Sequence, residues 1–495
     1  MGDDWSDERG RYYNSLGGYI SYSAREQRME TLRNAQDENC SFLSSEPSSG
    51  PERRPESVSE LDVRQSVLED LLLKTVYRSG SISILELGEK LRLSYTVTNQ
   101  LLERLRSDSL CIVTGMSGNI AQIAITSQGR ARAAELQALN QYSGTAPVSL
   151  ESYVKQVRKQ SVQKVEVRAA HVKRAFAHLV IDKEMLNQFG TALNSGSSIL
   201  LYGPAGVGKT TMAEILSRVI ADDDVWIPYA IEVDGQFITV YDPAIHKRVQ
   251  EKEPGNHDLR WVLCQRPAVL VGGELTTDML DLQFNPVSKF YTGPVQLKAN
   301  NGVLIIDDFG RQRMRPDELL NRWIVPLDRR IDFLSLIGGK KIEVPFEVLV
   351  VFASNLEPEK LVDPAFLRRI QTKIRIGEAS NEQFCEIFRR VASDMQVPFD
   401  AEIPNDLIDF VHNTLGQELR SCYPRDILNQ VCWAARYENK RPYLDRAALM
   451  RAVDAYFPKK TPVTSREQSL VTGPADGSAS QQLGSPKTGF WDRPN

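Results

Sequence analysis

The 495-residue sequence predicts an α/β protein with a parallel sheet flanked by helices, and three stretches carry that prediction. In Ser198–Thr211, the apolar run Ile199–Tyr202 reads as a buried strand. It passes through three glycines into Thr211–Ile220, whose apolar residues recur at helical spacing. Gly302–Asp308 places four consecutive apolar residues before two aspartates, and Val348–Asn355 ends another apolar run in a Ser-Asn pair. Buried strands that end in polar or glycine-rich turns are the mark of a parallel sheet whose working edge lies at the strands' carboxyl ends.

Each stretch also carries chemistry. Gly203, Pro204, Ala205, Gly206, Val207 and Gly208 form a turn whose backbone N–H groups are free to close around phosphate oxygens, with the partial positive charge of the following helix behind them. Lys209 reaches the β- and γ-phosphates, Thr210 offers a hydroxyl to a bridging magnesium ion, and Thr211 continues the helix. A nucleoside triphosphate with Mg2+ is therefore the expected ligand. Asp307 at the end of the second strand shares the metal with Thr210, and Asp308 stands where a general base would polarise water. An aspartate is one methylene shorter than a glutamate, so slow hydrolysis is expected if Asp308 is that base.

These motifs, in this order, resemble an AAA+ ATPase module from about Ala175 to Phe457. The resemblance implies ATP as the nucleotide, Gly302–Asp308 as the Walker B strand, and Asn355 as the sensor 1 residue holding the attacking water. It implies an arginine finger in Asp363–Arg369, with Arg369 favoured over Arg368 and with Arg329 and Arg330 in reserve. It also implies a sensor 2 arginine, Arg425, within Ser421–Leu428 of a C-terminal helical lid. Arginine suits a finger because its planar, permanently charged fork pairs with phosphate oxygens in two places. Thr292–Gly302 and the strand Lys341–Pro345 are similar to segments of the MoxR-like and chelatase-like branches. Members of this family assemble into rings, so a homo-oligomer of six subunits is expected.

Upstream, Leu61–Leu139 reads as three helices, a hairpin around Gly115–Asn119 and a closing helix, a pattern similar to a winged-helix domain. Its third helix would present Ser94, Tyr95, Thr96, Thr98, Asn99 and Gln100 to a DNA groove. Glu103 and Asp108 offset Arg104 and Arg106, however, and the hairpin tip lacks Lys and Arg, so protein docking is favoured. The segment Tyr153–Arg174 is strongly basic and reads as a connecting helix that could lie along nucleic acid or an acidic surface. Lys289–Gly293 has the composition of a polypeptide-gripping loop but precedes the wrong strand, so Phe290 and Tyr291 are expected to pack.

The expected organisation is a disordered tail (1–60), the winged-helix-like domain (61–146), the basic connecting helix (147–174), the nucleotide-binding core (175–376), the helical lid (377–458) and a second tail (459–495). With 41% hydrophobic residues, 25% charged residues and net charge −4, the composition is that of an ordinary globular chain. No apolar run reaches the roughly 18 residues of a membrane span, the acidic start does not resemble a secretory leader, and the expected address is cytoplasmic. The six cysteines show no metal-ligand spacing. Three functions fit: a ring ATPase that remodels a protein client, a nucleotide-controlled assembly switch, and a DNA-directed ATPase acting through 61–174.

Overall fold

A computed structural model describes residues 50–118, 120–221, 223–250, 256–361 and 363–457, so both expected tails lie largely outside the described residues. The chain divides into two compact units at Gln383/Phe384.

The first unit is built around a five-stranded parallel sheet. Across it run Ala268–Val271, Val303–Ile306, Leu349–Ser354, Ile199–Tyr202 and Thr372–Arg375, all parallel. The first strand in sequence thus lies between the fourth and the fifth, and the second and third extend the other edge. Ile199–Leu201, Val303–Ile306 and Leu349–Ser354 are buried along their length, as strands covered on both faces must be. Helix Lys209–Ile220 covers one face with Met212, Ala213, Ile215, Leu216, Val219 and Ile220. Phe309, Leu319, Leu320, Trp323 and Phe346 cover the other. A topological switch point lies beside the first strand, where crossovers leave in opposite directions and a crevice opens at the carboxyl ends.

The N-terminal elements are helices Gln65–Ser79, Ile84–Leu91 and Tyr95–Ser107, a three-stranded sheet that includes the hairpin Cys111–Ser117/Ile120–Ile125, and helix Ser127–Leu139. Ser83, Ser94 and Thr126 start three of the helices by accepting the N–H of Glu86, Val97 and Gly129. This module is not loosely tethered. Its core includes Ala230 and Phe237, from the strands Ala230–Val233 and Gln236–Thr239 of a second five-stranded sheet, which also takes in Val148–Ser149, Gln283–Phe284 and Tyr291–Thr292. Tyr142 stacks on Phe237 at 4.8 Å and meets Phe290 edge-on at 5.5 Å. Arg260, almost wholly buried, donates to Asp258, to Asp62 and to the Pro147 carbonyl. Burial alone would raise the Asp62 carboxyl, but the Arg260 guanidinium, aided by the Ser149 N–H, outweighs it and brings the group down to about 2.

The expected basic helix is observed as two helices, Leu150–Lys159 and Ala169–Ala175, separated by a short 3-10 turn. Tyr153, Gln156 and Val157 are buried, and three of the exposed cations are engaged by the chain itself. Lys155 pairs with Glu52, Lys159 donates to the Gly50 carbonyl, and Lys164 caps the helix through the carbonyls of Arg158 and Lys159.

The second unit holds most of helix Asn381–Asp394, then Ile403–Asp409 continuing into a π-helical turn at Phe410–Leu415, and helices Tyr423–Tyr437 and Arg446–Tyr456. Phe384, Phe388, Leu407, Ile427, Leu428 and Val453 are buried within it. Among the described residues, no helix is long and apolar enough to cross a membrane.

Candidate functional site

The site forms where the strands Ile199–Tyr202, Val303–Ile306 and Leu349–Ser354 end side by side. Gly203, Gly206 and Gly208 have φ values of +142°, +84° and +95°, which side chains at these positions would resist. Gly203 is constrained twice, because a Cβ there would stand 2.1 Å from the Ile376 carbonyl oxygen. The loop can therefore hug a ligand only with glycine here. Pro204, Ala205 and Gly206 lie at the rim, Val207 anchors the loop in the core, and Thr211 is half-buried in the first helical turn.

Lys209 is buried beneath the loop. Its Nζ donates to the carbonyls of Gly203 (3.0 Å) and Pro204 (2.7 Å) and to Asn355 Oδ1 (2.5 Å). Burial pulls its ammonium below the usual lysine range, opposed by the charges of Asp307 and Asp308. The Asn355 amide nitrogen donates to Asp308 Oδ1 at 2.8 Å, so Lys209, Asn355 and Asp308 form one chain across two strand ends. Thr210 Oγ1 lies 3.0 and 2.9 Å from the two Asp307 oxygens. A hydroxyl and a carboxylate are the hard oxygen donors that Mg2+ takes alongside phosphate oxygens and water, so the residues present fit that ion. Asp308 sits at φ +48°, a sparsely populated conformation for a residue with a side chain, and its N–H donates to Asp307 Oδ1.

The structure brings Lys209, Thr210, Asp307, Asp308 and Asn355 together. The two arginines at the end of Asp363–Arg369 part company. Arg369 donates through Nε to Asp328 (3.0 Å) and through Nη1 to the Ala365 carbonyl, and lies over the Phe366 ring. Arg368 is exposed. Arg330, in the left-handed region, is tied to the carbonyls of Val348 and Gly196, whereas Arg329 is exposed. Arg425 lies exposed near the start of the second unit's helix Tyr423–Tyr437.

Several residues escape a sequence reading. Gln312 Nε2 donates to the Asp307 carbonyl while its Oε1 accepts from Gly310, bracing the loop after the aspartates. Ser354, fully buried, donates to the Phe309 carbonyl and fixes the same loop from the next strand. Glu274 follows the strand Ala268–Val271 at the same sheet edge. Its neighbours Gly273 and Leu275 accept from the N–H groups of Arg313 and Met314. A glutamate after the apolar run and two glycines was the available signal. Tyr291 and Phe290 pack, as expected: Tyr291 is buried against Phe284, and Phe290 lies on Tyr142.

On the third N-terminal helix, much of the proposed reading face is occupied. Ser94 caps its own helix, buried Thr98 donates to the Ser94 carbonyl, and Gln100 accepts from Val58 N–H. Tyr95 and Thr96 remain exposed.

Residues 380–455 match a family described as a domain of unknown function, DUF8689. That segment nearly coincides with the described part of the second compact unit. No curated protein matches the chain. Among solved structures, it is similar to a Thermotoga maritima RuvB Holliday junction branch migration motor, at 16% identity and TM-score 0.30 over 62% of this chain and 72% of that one. It is also similar to Brucella abortus NtrX, at 13% identity and TM-score 0.36 over 60% of each chain.

Proposed function

We propose that this protein is an AAA+ ATPase that binds MgATP at the loop Gly203–Thr211, assembles through that site into a ring, and remodels a protein client. The observation that carries the reading is the continuous polar chain Lys209–Asn355–Asp308 beside the Thr210–Asp307 pair, at a glycine loop that only glycine can form. Loop N–H groups and the helix behind them would hold the phosphates, and Lys209 would exchange its carbonyl partners for phosphate oxygens. Thr210 and Asp307 would hold the Mg2+ ion, whose chemistry is charge neutralisation on the β- and γ-phosphates. Asp308 would take a proton from the attacking water, oriented by Asn355. Protonating Asp308 weakens it as an acceptor for the Asn355 amide, so its return to charge resets the pair.

Of the finger candidates, Arg368 is favoured over Arg369. An arginine already committed to Asp328 and Ala365 would have to break those bonds to serve a neighbouring subunit, whereas Arg368 is exposed. Arg425 enters from the sequence resemblance. The N-terminal module is read as a winged-helix-like fold used for protein docking, since Ser94, Thr98 and Gln100 of its third helix are spent on contacts within the chain.

The test is steady-state ATP hydrolysis across a protein titration, with Lys209→Ala, Asp308→Ala, Arg368→Ala and Arg425→Ala alongside the unchanged chain. Turnover per subunit that rises with concentration, and is lost without Lys209, Asp308 or Arg368, supports the ring ATPase. Tight ATP binding with no turnover at any concentration would replace it with the assembly switch.

A further inference from the structure

The second unit carries a surface that the ATPase reading does not use. Helix Tyr423–Tyr437 buries Tyr423, Ile427, Leu428 and Val431 on one side. Its opposite side is not the usual carpet of small polar residues. Trp433 is 59% exposed, and Tyr437, one turn further on, is 93% exposed. Large aromatic surface left in water at two successive turns is costly to keep without a purpose. Arg436 lies between them, and Lys440 and Arg441 follow directly, all exposed. Arg436 and Arg441 form no ion pair among the described residues, and Lys440 has only the exposed Glu438. The neighbouring acids are engaged elsewhere: Asp426 accepts from Tyr456 and Asp445 caps the last helix.

Charge is also sorted along this unit. From Glu386 to Glu418 acids predominate, with Asp394, Asp400, Glu402, Asp406 and Asp409 against Arg389 and Arg390. From Arg420 to Arg451 the balance reverses. A face that offers flat rings and unpaired guanidinium groups in alternation suits a ligand that presents flat rings and anions in alternation. Single-stranded nucleic acid has that chemistry: bases stack on Trp433 and Tyr437 while Arg436 and Arg441 neutralise phosphates. An acidic peptide would satisfy the arginines but give the rings nothing to stack on.

We propose that the face formed by Trp433, Arg436, Tyr437 and Arg441 binds single-stranded nucleic acid through base stacking and phosphate contacts, without sequence preference. The site lies within the second unit and does not depend on hydrolysis, so it is tested without nucleotide.

The experiment is fluorescence anisotropy of a labelled 20-nucleotide oligo-dT with the full chain, against a labelled poly-glutamate peptide of equal length. Binding at about 10 μM or tighter at low salt is expected, weakening steeply as salt rises. Trp433→Ala with Tyr437→Ala should weaken it at least about tenfold. Arg436→Gln with Arg441→Gln should lower the slope of log affinity against log salt by about one. Trp433, Arg436 and Tyr437 lie on the exposed side of the helix and Arg441 just beyond its end, and circular dichroism with basal ATP turnover, measured separately, reports that the fold and the phosphate-loop site persist. Oligo-dT affinity unchanged in both pairs overturns the proposal. So does equal or tighter binding of poly-glutamate, or a change in self-association with none in oligo-dT binding, which would make the face a contact between copies.

Discussion

The helices Leu150–Lys159 and Tyr423–Tyr437 resemble each other as sequence: both are amphipathic, and both lead into clusters of Lys and Arg. In the folded chain they are opposites. In the first, Lys155 and Lys159 are claimed by Glu52 and the Gly50 carbonyl, while at the end of the second Arg436 and Arg441 form no ion pairs among the described residues. The same split separates Arg369 from Arg368 and Arg330 from Arg329. A run of positive charge is thus a statement about composition, and only the partners decide whether it is also a surface for something else.

The largest test of this contrast is the Arg368/Arg369 pair. Arg368→Ala is expected to lower ATP turnover roughly 1,000-fold without changing thermal stability. Arg369→Ala should instead cost about 1 kcal/mol of stability through the lost Asp328 contact, with a smaller kinetic loss. Equal kinetic losses would erase the distinction between tied and open arginines. Next comes Lys209, the tied cation expected to change partners. Lys209→Ala should weaken ATP binding about 100-fold, equivalent to ~3 kcal/mol, by isothermal titration. Asp62→Asn sharpens the contrast from the other side, because it leaves buried Arg260 with Asp258 as its one charged partner. A loss of about 2–3 kcal/mol in denaturant unfolding is expected. Since the Asp62 carboxyl is held at about 2, its contribution is complete above an unfolded carboxylate's pKa of about 4 and is lost as pH falls toward 2.

Lys74 opens a second pH window, at the alkaline end. Burial lowers its ammonium to about 8, so between that value and an unfolded lysine's pKa of about 10.4 the unfolded chain binds the extra proton. Stability should therefore rise with pH across that window, and Lys74→Met should flatten the rise in thermal melts recorded from pH 8 to 10. Smallest of all, Lys155→Gln with Lys159→Gln should change oligo-dT binding less than about twofold and stability by no more than ~0.5 kcal/mol. A large loss of binding would return the connecting helix to the list of nucleic-acid surfaces.

The working loop was legible because its chemistry is local. Gly203, Gly206, Gly208, Lys209 and Thr210 lie within one turn of chain, and the strands ending at Asp307 and Asn355 are marked by unbroken apolar runs. What stayed hidden depends on partners distant in sequence. Nothing near Arg369 announces Asp328, and nothing near Asp62 announces Arg260, 198 positions away. The N-terminal helices were readable as elements, but their attachment to the second sheet through Tyr142, Phe237 and Phe290 leaves no period in the sequence. Gln312 and Ser354 are single polar residues whose meaning comes from a neighbouring carbonyl.

That 198-residue separation sets a timetable for the chain as it is made. Asp62 emerges early, with the helices that surround it, yet the guanidinium that neutralises it and the ring of Phe237 that closes its core arrive much later. At translation rates of about 5–20 residues per second, the wait is roughly 10 to 40 s. Throughout that interval the N-terminal helices carry an incomplete apolar face. The nascent protein is then most exposed to chaperones and to misassociation, and the ribosome sets the length of that exposure.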